Sequence, residues 1–198
     1  MPKIVNKEEK RREIALACSD LIHDVGIKKI TVSQVAKTAG IGKGTIYEYF
    51  ENKEDIIFQI INIHIEEYHK EFSEKIKKEK TTRDKVLHFF KFVIDNSEEN
   101  MKHFNRFKEY LSIVLSEEND EMLKFNCSCS TFFYSQLENI LQEGINKGEL
   151  KSCAVDLVDI ILTYERGVAI TKMTQDNVDI EMLCKKFVDN LFELVEIK

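Results

Sequence analysis

Seven residues between positions 31 and 53 have the chemistry to hold an anion and read a hydrogen-bonding edge: Thr31, Lys43, Gly44, Thr45, Tyr47, Tyr49 and Lys53. The Lys43 ammonium can reach a phosphate or a guanine edge. Thr45 is short and can bond a base edge or touch a thymine methyl. The Tyr47 and Tyr49 hydroxyls suit phosphate oxygens. Gly44 has no side chain, so its backbone can approach a surface closely. Thr31 and Lys53 stand at expected helix starts, where free N–H groups and the helix dipole already favour negative charge.

The elements that must position these residues are two short helices and the start of a third. Val32, Val35, Ala36 and Ala39 recur at one face of a helix. Thr31 with Gln34 three residues on makes a capping box. Gly40 supplies the left-handed residue that ends this helix, and Ile41 can fold back on it. Gly42-Lys43-Gly44-Thr45 opens the second helix, anchored by Ile46 and Phe50. Asn52 caps the next, with Glu54 and Asp55 in its first turn. Two helices joined by a tight glycine-containing turn make a helix-turn-helix, whose second helix enters the DNA major groove.

Thr31-Val32, Val35-Ala36, Ala39-Gly40-Ile41, Lys43-Gly44-Thr45-Ile46-Tyr47, Tyr49-Phe50 and Lys53-Glu54-Asp55-Ile56 together resemble the tetracycline-repressor-like (TetR) family of bacterial transcription regulators. The match covers about the first quarter of the chain, in fixed register. It implies DNA contacts at Thr31, Lys43, Gly44, Thr45, Tyr47 and Lys53. Tyr49 joins them on residue type. One departure is Gly42, where the family commonly has Ser or another polar residue. Glycine is a tolerable N-cap but offers no hydroxyl to a phosphate.

The net charge of −6 by itself argues against nucleic acid, but its distribution reverses that. Residues 1–53 hold ten Lys/Arg against seven Asp/Glu, a local +3, and the remainder carries −9. The basic end coincides with the helix-turn-helix, as phosphate recognition requires. Lys3, Lys7, Lys10, Arg11 and Arg12 read either as an arm on the minor groove or as a solvated terminus. With no apolar run near membrane length and no apolar leader segment, the chain reads as cytoplasmic. Five cysteines in unpatterned positions fit reduced thiols. Cys127 and Cys129 would lie about 200° apart on a helix and cannot chelate together. His64 and His69, five apart, are poorly placed too. No metal, no cofactor and no catalytic residue is expected, and no enzyme motif appears.

Beyond residue 53 the pattern predicts further helices at about 53–79, 82–97, 100–116, 120–147, 154–174 and 179–196, after a first at about 7–25. The fold expected is all-α with about nine helices. A helix-turn-helix DNA-binding domain would occupy 1–52, and an effector-binding and dimerisation domain 53–198. The second part holds most of the thirteen Phe and six Tyr. An aromatic stripe at helical spacing is usually plain core, yet so many rings can also line an apolar cavity. The resemblance implies a small-molecule effector in such a cavity. Candidate contacts are His64, Tyr68, Phe89, Val93, Phe107, Tyr110, Phe133, Gln136 and Tyr164. Glu165 and Arg166 interrupt an apolar helix, and read as effector contacts, a pair across an interface or an exposed edge.

The two closing helices carry more apolar surface than one small body can cover. A homodimer is expected through Leu157, Ile161, Val168, Phe187, Leu191 and Phe192, binding a near-palindromic double-stranded DNA operator. The function expected is a transcription regulator, and the resemblance implies a repressor released by a small, mainly apolar effector. The rival is a DNA-bound factor controlled by a protein partner, marked by an exposed apolar patch and no closed cavity.

Overall fold

The computed structural model describes residues 6–26, 29–115 and 120–197, with side chains except at 22–24, 113–114 and 120–129. Lys3 and the Cys127 and Cys129 side chains therefore lie outside the described residues. Eleven α-helices are found there, and no strand beyond one isolated bridge. They pack as two units, Met1–Lys70 with Asn105–Glu117, and Glu71–Phe104 with Glu118–Lys198.

The first unit holds α1 (Lys7–Ala17), α2 (Ser19–Val25), α3 (Val32–Thr38) and α4 (Lys43–Tyr49). To these it adds the leading part of α5 (Lys53–Ile76) and the trailing part of α8 (Glu98–Val114). The single helix expected over 7–25 is broken at Cys18, which leaves helical geometry at φ −102° and ψ 6°. Its N–H turns back to the Ala15 carbonyl, and its fully buried thiol lies 3.6 Å from the Val35 carbonyl oxygen. Burial against α3 sets this break, since neither Gly nor Pro stands there.

Local chemistry shapes the next helices as the pattern predicts. Gln34 N–H donates to Thr31 Oγ1 at 3.2 Å, and Thr31 N–H donates to Gln34 Oε1 at 2.8 Å, closing the capping box. Gly40 takes φ +68°, which lets Ile41 N–H reach back to the Ala36 carbonyl at 3.0 Å. Asn52 Oδ1 caps α5 by accepting from Asp55 N–H at 2.8 Å. Ile14, Ala15, Val35, Ala36, Ile46, Phe50, Ile56 and Ile60 form the buried centre.

The second unit holds the rest of α5 and α8, with α6 (Thr82–Phe89), α7 (Lys91–Ile94) and α9 (Asp120–Asn146). A 3-10 turn at Ser152–Leu157, α10 (Val158–Thr174) and α11 (Ile180–Val195) complete it. The helix expected over 82–97 is divided at Phe90, whose ring is fully buried against Phe187 at 5.7 Å between centroids. The helix expected from 154 starts at 158, behind the 3-10 turn. Phe72 gathers an aromatic cluster, meeting Phe89 at 4.9 Å and Phe133 at 5.3 Å edge to face. At Gly144 α9 comes so close to its neighbours that a Cβ would stand 2.9 Å from Leu150 Cδ1 and 3.0 Å from Thr82 Cγ2. After α11, Leu150 and Glu196 form an antiparallel bridge, tying the last turn to the segment after α9.

Candidate nucleic-acid interface

Helix α4 has a buried side and an open side. Ile46, together with Phe50 just beyond the helix, fixes it to the centre of the first unit. Lys43, Gly44, Tyr47 and Glu48 are exposed, and at 100° per residue they share one continuous arc. Tyr47 keeps 53% of its surface free, unusual for a large ring and suited to an external partner. A Cβ on Gly44 would meet nothing within 4 Å. Thr45 and Tyr49 are half-buried on the flanks of the arc. Thr31 is exposed at the start of α3, with its hydroxyl already engaged by Gln34. Lys53 is half-buried in the first turn of α5. Gly42 is the N-cap of α4 and supplies no side-chain bond.

Of the residues read as a basic arm, Lys7, Lys10, Arg11 and Arg12 are built into α1, whose N-cap is Asn6. Lys10 pairs with Glu13 at 2.8 Å and Arg12 with Glu66 at 2.6 Å. Arg11 goes furthest from the expected role. Its guanidinium donates to the Tyr49 carbonyl oxygen at 2.6 Å and to both Asp55 oxygens at 2.6 and 3.0 Å, and lies over the Phe50 ring at 4.7 Å. Burial works to raise the Asp55 pKa, but the Arg11 hydrogen bond, the Glu51 N–H and the Arg11 charge together hold it below the ordinary value. Arg11 thus fastens the end of α4 to the start of α5. Its partner at position 55 is far along the chain, and no local pattern announced it.

The candidate effector contacts divide between the units. In the first, His64 and Tyr110 are buried while Tyr68 and Phe107 are half-buried. His64 Nε2 lies 3.1 Å from the Ser19 carbonyl oxygen. In the second, Phe89 and Phe133 meet at 6.4 Å, Val93 is buried and Gln136 is half-buried. Tyr164 stacks on Phe187 with centroids 3.8 Å apart. A cleft of about 410 Å³ in the second unit includes Val93 and is bordered as well by Ile94, Asn96, Lys172 and the segment from Gln175 to Glu181.

Glu165 and Arg166 do not bond each other. Arg166 donates to Ser130 Oγ at 2.8 Å. Glu165 lies on the packed side of α10, and though part of the residue is exposed, desolvation of its carboxyl raises the pKa to about 7 against the pull of Arg166. Burial likewise pushes the Cys18 thiol up to about 11 and Cys184 to about 12, which keeps both protonated and unreactive.

Ile161, Val168, Leu191 and Phe192 are buried within their own unit, and Leu157 and Phe187 are half-buried. The apolar pattern of α10 and α11 is used first to build the protomer. Their open sides carry Ile160, Thr163, Gly167 and Ile170 on α10, and Met182 and Leu194 on α11. A Cβ on Gly167 would meet nothing within 4 Å.

Among known proteins, residues 14–60 match the family model for bacterial regulatory proteins of the tetR family. The chain is 32% identical over 151 residues to the fatty acid metabolism regulator protein of Bacillus subtilis, covering 73% of each. It is similar to the crystal structure of the Bacillus subtilis regulator FadR in complex with stearoyl-CoA, at 25% identity and a TM-score of 0.65, covering 91% of this chain and 96% of that one. It also shares the fold of a TetR-family regulator from Cytophaga hutchinsonii, with a TM-score of 0.76 at 16% identity over 99% of each chain. A relative this similar over this much of the chain, joined to a helix-turn-helix with its second helix open on one side, places the protein: it belongs to the tetR family of bacterial regulatory proteins and is a DNA-binding regulator of transcription.

Proposed function

We propose that this protein is a repressor that leaves a near-palindromic operator when a small, mainly apolar effector binds, and that the effector is a long-chain fatty acyl-CoA. The observation that carries the effector class is the 32% identity, over 73% of each chain, to a fatty acid metabolism regulator. The similar regulator solved with stearoyl-CoA supports the same class. The many rings of the second unit supply apolar surface for an acyl chain.

In this reading residues 1–52 read DNA and 53–198 bind effector and the second copy. Lys43, Gly44, Thr45 and Tyr47 face the major groove. Thr31, Tyr49 and Lys53 hold phosphates. The dimer forms through the open sides of α10 and α11, where Ile160, Gly167 and Ile170 let a second helix approach closely. The expected effector contacts stay as His64, Tyr68, Phe89, Val93, Phe107, Tyr110, Phe133, Gln136 and Tyr164. No helix among the described residues is long and apolar enough to cross a membrane.

Calorimetric titration with stearoyl-CoA and with unacylated coenzyme A tests the effector class. Stoichiometric binding of stearoyl-CoA at micromolar or tighter affinity, with coenzyme A at least about 100-fold weaker, is expected, since each buried methylene contributes about 0.8 kcal/mol. Equal affinities, or no heat with either, would remove fatty acyl-CoA as the effector.

A further inference from the structure

Two residues of α4 point most directly away from the protein. Gly44 and Glu48 stand two positions before and two positions after Ile46, which is fully buried, so each faces about 160° away from it. Gly44 has no side chain. Glu48 is therefore the side chain at the centre of the open arc, and it is exposed. It makes no hydrogen bond or ion pair among the described residues. Its neighbours at helical spacing offer no cation: Gly44 and Thr45 lie one turn before it, Glu51 and Asn52 one turn after. A Cβ on Gly44 would meet nothing within 4 Å, so the strip over which a helical side chain at position 48 leans is open.

A carboxylate at this place is costly on DNA unless it meets a donor. It is repelled by phosphates, and when ionised it only accepts hydrogen bonds. The central line of a reading helix keeps it away from both phosphate strands and aims it at the base edges. The donors there are the N4 amino group of cytosine and the N6 amino group of adenine. Guanine and thymine turn acceptors to the major groove and repel a carboxylate. Adenine sets its N7 acceptor beside its amino group, and a carboxylate cannot match both. Cytosine presents its amino group with no acceptor on the same base edge.

We propose that Glu48 is a specificity-determining residue of this regulator: its carboxylate accepts from cytosine N4 and so fixes one C·G pair in each half-site of the operator. This rests on the reading of α4 as the groove-facing helix and deepens it. Lys43 and the hydroxyls beside it attract DNA of any sequence. Glu48 subtracts from that attraction everywhere except over a cytosine. A wrong base there leaves the carboxylate desolvated and unpaired, which discriminates more strongly than the loss of a neutral contact. One residue thereby lowers affinity for random DNA and preserves it for the operator.

The test lets the intact chain and its Glu48→Ala, Glu48→Gln and Tyr47→Ala variants select from a library of randomised DNA duplexes. Affinities are then measured for each base pair at each position of the selected site, changed in both half-sites together. Melting temperature checks that every variant folds. The wild type should require C·G at one position and lose about 30-fold or more with any other pair. Glu48→Ala should bring all pairs at that position within about 3-fold of one another, keep the preferences elsewhere and bind random DNA more tightly. Glu48→Gln, which can donate as well as accept, should admit A·T there. Preferences in Glu48→Ala that match the wild type at every position would overturn the role, since the carboxylate would then only repel phosphate. A relaxed position where the wild type prefers a pair without cytosine would overturn cytosine as the partner. If Tyr47→Ala also leaves affinity and selection unchanged, α4 is not the reading helix and Glu48 falls with that reading. If Tyr47→Ala weakens binding while Glu48→Ala changes no preference, the Glu48 assignment alone falls.

Discussion

Arg11 binds Asp55 through two hydrogen bonds, at 2.6 and 3.0 Å, while the same guanidinium holds the Tyr49 carbonyl at 2.6 Å. One side chain from α1 thereby fixes where α4 ends and α5 begins. Arg11 and Asp55 side chains are only 17% and 23% exposed, so the pair is screened less than a surface bridge. Arg11→Ala should cost roughly 1–3 kcal/mol of folding stability and weaken operator binding more than non-specific DNA binding, because it loosens the presentation of α4 and leaves Asp55 unpaired. Urea denaturation and competition with random DNA measure the two effects. Equal loss on both DNAs would mean that Arg11 acts only through charge.

The same pair has a pH signature. Asp55 is held below its ordinary pKa in the folded chain. Its stabilisation is therefore complete above the unfolded value of about 3.9 and disappears as pH falls through the lower folded value. The stability difference between wild type and Asp55→Asn should be constant from pH 7 to about 5 and shrink toward zero in stronger acid. A difference that persists unchanged at low pH would show that the carboxylate charge is not what stabilises this junction.

Gly44 separates folding from DNA reading. Nothing lies within 4 Å of the Cβ position, so Gly44→Ala meets no obstacle in the free protein. Melting temperature should stay level or rise, since alanine favours a helix by up to about 1 kcal/mol over glycine. Operator affinity should fall by about 10-fold or more, because the added methyl stands where the backbone must approach DNA. Tyr47→Ala should lower affinity with an unchanged melt. Normal operator affinity in both variants would place the reading surface elsewhere.

At Gly144 the opposite holds. A Cβ there would stand 2.9 to 3.1 Å from Leu150 and 3.0 Å from Thr82. Gly144→Ala should destabilise the chain by about 1–3 kcal/mol through overpacking, despite the better helix propensity of alanine. A melt at or above the wild-type temperature would show that α9 yields at this contact.

The two sides of α10 should also part company. Ile170 is exposed and Ile161 fully buried. Ile170→Glu should give a helical monomer that loses its operator. Ile161→Ala should remain dimeric at low temperature but lose about 2–5 kcal/mol of stability. Sedimentation and thermal melting distinguish them. A dimer that survives Ile170→Glu would move the interface off this face.

What was legible in the sequence followed from local chemistry. The Thr31–Gln34 box, the left-handed Gly40 and the Asn52 cap are each decided within five residues, and each is found. The breaks at Cys18 and Phe90 were not legible, because no Gly or Pro marks them and burial against distant helices sets them. Arg11 looked like a loose basic terminus because its partner lies 44 positions on. Ile161 and Phe192 looked like interface because an apolar stripe does not say whether it faces its own core or a second copy.

Fluorescence anisotropy of the intact chain on the DNA upstream of its own gene, with and without stearoyl-CoA, tests DNA reading and effector release together. Binding at least about 1,000-fold tighter than to random DNA is expected, with a fall in operator affinity of about 10-fold or more when stearoyl-CoA is added. Operator binding that stearoyl-CoA leaves unchanged would contradict release by an acyl effector. Equal affinity for both DNAs would contradict the reading surface on α4.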